Sequence, residues 1–171
     1  MLRSSRLRTG VAALGLLIFA GPAMAQLCVN PAERTAFELR TLQSQLVVAA
    51  LACGRDNEYN SFVRRFQSEL AGSYRTMQAH FRRGGGNSQR TMDTFITTLA
   101  NAHSQDGISQ GSRFCPNIAP LFQVAMSQPN AAALAGLVAE RNLINPLDTP
   151  ACPEAPARRA PTRSAAATPV R

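Results

Sequence analysis

Four cysteines constrain what this chain can fold into more than any other feature. Cys28, Cys53, Cys115 and Cys152 are scattered, the nearest two being 25 positions apart. No C-x-x-C metal or redox motif can form from that spacing. His80 and His103 are the only other soft ligands, and neither has zinc-finger spacing. An even cysteine count in an exported chain reads as two disulfides.

Export is itself written at the N-terminus. Arg3, Arg6 and Arg8 precede an apolar stretch from Val11 to Ala20, and Ala23 and Ala25 stand where a signal peptidase reads small residues. The reading is a cleaved signal peptide over 1–25 and a mature chain from Gln26, in the periplasm or secreted. About ten apolar residues are too few for a transmembrane span. Leu27 before Cys28 rules out a lipoprotein box.

Four cysteines allow three pairings. Cys53 shares a helical face with Leu39, Leu42 and Leu46, while Cys115 follows Phe114 and precedes Ile118, Leu121 and Phe122. Two core-facing thiols are natural partners, so the expected bridges are Cys53–Cys115 and, flanking the fold, Cys28–Cys152. Closing the inner loop should stabilise the fold by about 4 kcal/mol through lost chain entropy.

Periodicity supplies the rest of the architecture. Asn30-Pro31-Ala32-Glu33 combines a cap, a first-position proline and a carboxylate able to reach back, and Gly54 offers a left-handed stop. Tyr59, Phe62, Val63, Phe66, Leu70, Tyr74, Met77 and Phe81 recur at steps of three and four, predicting a second helix that ends before Gly84. Met92, Phe95, Ile96, Leu99 and His103 mark a third, with Gly107 and Gly111 at its end. A fourth runs from Ser112 to Ser127, where Pro120 should kink or restart it. Asn130 begins a short fifth. No alternating strand pattern occurs. The expected fold is all-α: a small disulfide-stapled bundle of four to five helices over 26–145. A Pro/Ala/Arg-rich tail over 146–171 is expected to be disordered.

The formal charge of +8 sits largely outside the bundle. All 18 basic residues are arginine. Three lie in the signal and four (Arg158, Arg159, Arg163, Arg171) in the tail, leaving 11 against nine acids between Gln26 and Pro150. A nucleic-acid partner would want that charge on the folded part. Candidate anion-binding groups are Arg64, Arg75 and Arg82 on one face of the second helix, Arg83 beside them, and Arg90 beyond the Gly84-Gly85-Gly86 run. They suit an anionic polymer or lipid surface. No Walker, dinucleotide, G-x-S-x-G or H-E-x-x-H pattern is present, so no cofactor, metal or catalytic residue is assigned. His80 and His103 are the residues around which a small enzyme site would have to form, although both fall on apolar stripes.

The segments "LVVAALACG", "EYNSFVRRFQSEL", "TFITTLANAHSQ" and "GSRFCPNIAPLFQ" resemble a group of small exported alphaproteobacterial all-helical proteins of unknown function. The shared marks are a Cys-Gly helix end, a tyrosine in the second helix and a later Phe-Cys pair. The resemblance covers about residues 34–123 and implies no activity. The function expected from the sequence is a periplasmic binding or structural protein with an envelope component as partner.

Overall fold

Asn30 starts the first helix by the reciprocal contacts its spacing predicts. Its Oδ1 accepts from the Glu33 backbone N–H at 3.0 Å, and Glu33 Oε2 accepts from the Asn30 N–H at 3.0 Å. The computed structural model describes residues 27–153; residues 1–26, with the expected signal peptide, and the chain beyond Pro153 lie outside the described residues. Helix α1, Pro31–Cys53, ends on Gly54 in the left-handed conformation at φ 66°. It carries Phe37, Leu39, Leu42, Leu46, Ala49 and Ala50, all essentially inaccessible, and all the other helices pack on it. The apolar last third, Leu46 to Ala52, is nevertheless not enclosed on every side: Leu51 is 74% exposed.

The predicted second helix is one rod kinked at Phe66 (φ −109°, ψ 26°) into α2, Asp56–Arg65, and α3, Gln67–Arg83. No proline or glycine stands at the kink. The cause is tertiary: α2 packs on α1 and α5, whereas α3 runs along α1 and α4. Phe62 and Phe66 are both buried at the bend, ring against ring at 5.3 Å. Helix α4, Ser88–Gln110, is capped by Asn87 and stops at Gly111, φ 56°. A 3₁₀ turn, Gly111–Arg113, leads into α5, Phe114–Met126, and Asn130 caps α6, Ala131–Glu140. Counting the kinked pair as one, five rods form the bundle. The fold is all-α; among the described residues there is no strand beyond a single isolated bridge.

Of the two outcomes expected at Pro120 the restart does not occur: α5 passes through it as one helix. The hydrogen bond it forfeits is to Pro116, in the first turn, and both prolines are exposed. Solvent can therefore satisfy the freed carbonyl.

Both expected disulfides are present. Cys53–Cys115 ties the end of α1 to the start of α5, and Cys28–Cys152 joins the two ends of the described chain. The second bridge changes the domain boundary. Residues 146–153 do not leave the bundle at Asn145 but form a strap across it. Leu147 packs on the smaller apolar cluster around Phe37, Met77 and Met92. Val29 N–H donates to the Pro150 carbonyl at 2.8 Å, and Cys152 N–H donates to the Val29 carbonyl at 3.0 Å. Prolines forbid helix here, but they do not forbid two backbone bonds and a cross-link. No described helix is long and apolar enough to cross a membrane.

Candidate functional site

Helix α6 ends on Asn142, the one non-glycine residue at positive φ (56°) among those described. Asparagine tolerates that conformation, and the stop is closed by Leu143 N–H donating to the Val138 carbonyl at 2.9 Å. The reversal drapes residues 141–144 over the last turn of α4 and the first turns of α5. Beneath it lies a pocket of about 320 Å³. Gln45 of α1 contributes to its lining, along with Asp106 and Gln110 of α4, Asn117 of α5, and Arg141 from above.

The polar groups are ordered in one direction. Gln110 Nε2 donates to Asp106 Oδ2 at 2.8 Å, and Asn117 Nδ2 donates to Gln110 Oε1 at 3.1 Å. The amides thereby brace the carboxylate and leave its other oxygen unengaged. Arg141 is exposed and makes no ion pair with a described residue. Gln45 is the anomaly. It is 2% exposed, yet its Nε2 finds no acceptor among the described residues. An unmet buried donor costs about 1–3 kcal/mol.

His103 supports this site without being available to it. Its Nε2 lies 2.9 Å from the Ile144 carbonyl, which can only accept, so Nε2 carries the proton. Nδ1 then accepts from the Ser44 hydroxyl at 3.1 Å. Both nitrogens are committed, and burial pushes the pKa down, against smaller opposing pulls from the Ile144 carbonyl and Asp106. The imidazole, on α4, is a neutral strut between α1 and the segment that follows α6.

His80 sits elsewhere, buried edge-on to Phe37 at 5.1 Å and Phe81 at 5.4 Å. Its Nδ1 lies 3.4 Å from Glu33 Oε2. The two histidines share no hydrogen-bonding partner among the described residues. Glu33, 3% exposed, is also paired to the Arg83 guanidinium through both carboxylate oxygens. That pairing holds its carboxyl at about 2, helped by the Asn30 N–H and His80 and opposed by burial.

Arg83 is therefore engaged in structure, and it also donates to the Cys28 carbonyl at 3.3 Å. Arg64, Arg75, Arg82 and Arg90 are exposed. Arg64 lies on α2 and Arg75 and Arg82 on α3, so the kink separates what the sequence placed on one face. Arg90 borders a shallow groove with Asp93 and three threonines of α4. Among the described residues no three His, Cys, Asp or Glu side chains converge as metal ligands.

Sequence reasoning missed the pocket because its residues come from four segments. Its one local signal is Gln45, a polar residue between Leu42 and Leu46 on the core side of α1. The class of protein these features define is a disulfide-closed helical bundle with a polar pocket under its last turn. The chain matches no family model, no curated protein and no solved structure.

Proposed function

We propose that the protein is an extracytoplasmic binding protein of the cell envelope whose pocket takes a small zwitterionic ligand. The carrying observation is a pocket lined by two groups of opposite charge, Asp106 braced by the Gln110 amide and Arg141 without an ion pair to a described residue. Asp106 supplies a braced acceptor for an ammonium and Arg141 a fork for a carboxylate. No unengaged imidazole or thiol lines the pocket, which favours binding over proton transfer. Location outside the cytoplasm is supported by the two disulfides and by the A-x-A sequence at Ala23-Met24-Ala25.

Titration of the mature protein with glycine, alanine and dialanine, alongside their N-acetyl and amide derivatives, tests the reading. Saturable binding of the zwitterions, weakened about tenfold or more by Arg141→Ala and by Asp106→Asn, is expected. Equal binding of the blocked derivatives, or none of any, would overturn it.

A second reading keeps the protein at an anionic polymer or lipid surface. Arg64, Arg75 and Arg90 are exposed without an ion pair, and Arg158, Arg159, Arg163 and Arg171 follow beyond the described residues. Retention on anionic vesicles that vanishes between low and physiological salt would favour this reading; retention indifferent to salt would remove it.

A further inference from the structure

Arg40 occupies a separate cavity of about 260 Å³ between α1, α2 and α4, on the Ser44 side of His103. It is half-buried and makes no ion pair with a described residue, unlike Arg83 and Arg55, which are paired to Glu33 and Glu58. A guanidinium withdrawn from water normally has a carboxylate beside it. No carboxylate among the described residues lines this cavity, and the one acceptor Arg40 meets is a neutral amide oxygen.

Hydrogen-bond direction makes this clear. Arg40 Nη1 donates to Gln43 Oε1 at 2.8 Å, which fixes the amide so that Gln43 Nε2 donates to the Tyr59 hydroxyl oxygen at 3.3 Å. The Tyr59 proton is left to give, as are the remaining Arg40 N–H groups. The Ser44 proton is spent on His103 Nδ1. Val47, Ile96 and Ala100 complete the wall with hydrocarbon. Burial depresses the Arg40 pKa, and the nearby tyrosines Tyr59 and Tyr74 act in the opposite direction.

We propose that this cavity is an anion site for a small organic carboxylate, held by the Arg40 fork and the Tyr59 hydroxyl with its apolar end against Val47, Ile96 and Ala100. A planar carboxylate matches the two parallel donors of a guanidinium. The hydrocarbon wall selects against fully hydrated inorganic anions, which would lose solvation there without replacement.

The test follows the Arg40 Nε–Hε and Tyr59 ring signals by NMR in the full mature protein, titrated with butyrate, inorganic phosphate and butylamine. Butyrate should move both signals saturably, with phosphate about tenfold weaker or worse and butylamine inert. Arg40→Gln should abolish the Tyr59 response, Arg40→Lys retain a weakened one, and Tyr59→Phe weaken binding several-fold. No saturable shift with butyrate in the wild-type protein would overturn the proposal, and that observation needs no variant to fold. Phosphate binding as tightly as butyrate would overturn the carboxylate assignment. An unchanged Tyr59 response in a folded Arg40→Gln would overturn the role of the guanidinium.

Discussion

At the scale of single residues, two buried ionisable groups make the fold acid-sensitive for different reasons. His103 is held neutral in the folded state, so unfolding takes up a proton once the pH drops below its unfolded value of about 6.5. Its contribution is complete above that pH and is lost as the pH falls toward the depressed folded value. Glu33 is held ionised with a folded pKa of about 2, so its contribution is complete above about 4.5 and drains between there and about 2. Urea midpoints measured from pH 8 down to pH 2.5 should therefore decline in two stages. Glu33→Gln should lose about 2 kcal/mol at pH 7, discounted for the half-exposed Arg83 partner, and should lack the second stage. Gln45 should behave in the opposite sense. Gln45→Leu removes an unmet donor and should leave stability unchanged or raise it by up to about 1 kcal/mol. A loss above about 2 kcal/mol in thermal or urea unfolding would show that the amide is already satisfied.

Elements were legible wherever the signal is local. The Asn30–Glu33 capping box, Gly54 and the apolar stripe of α4 could be read directly, because each depends on residues within a turn or two of one another. Asn30→Ala should cost about 1 kcal/mol of stability, readable as a drop in thermal midpoint. The kink at Phe66 could not be read, since it answers to α5 on one side and α4 on the other. The tolerated Pro120 is similar: whether a proline breaks a helix depends on which side its lost bond faces. The pocket was illegible for the same reason, being made of side chains from α1, α4, α5 and the turn after α6. The inner disulfide was legible because helical phase alone put both sulfurs on core faces. Replacing Cys53 and Cys115 together by alanine should cost about 3–4 kcal/mol, measured as a lowered urea midpoint with a steeper slope, because the unfolded chain without the cross-link exposes more surface.

The whole molecule closes on itself where Val29 meets the strap. This is where the domain boundary expected at Asn145 moved, and truncations should show it. A mature chain ending at Pro153 should unfold at nearly the temperature of the full mature chain. One ending at Asn145 loses the outer bridge, two backbone hydrogen bonds and the Leu147 contact, and should unfold well below it. If both versions melt alike, the strap contributes nothing.

The outer bridge also decides how the protein bears load. Cys28 and Cys152 are 124 positions apart in sequence but directly bonded, and every described helix lies in the loop between them. Tension applied to the two ends therefore runs through one sulfur–sulfur bond, and the helices are never pulled. In an oxidised molecule pulled from points on either side of the bridge, the chain between Cys28 and Cys152 cannot lengthen. Adding a reductant under the same force should release the whole intervening chain, giving a protein slack when reduced and inextensible when oxidised.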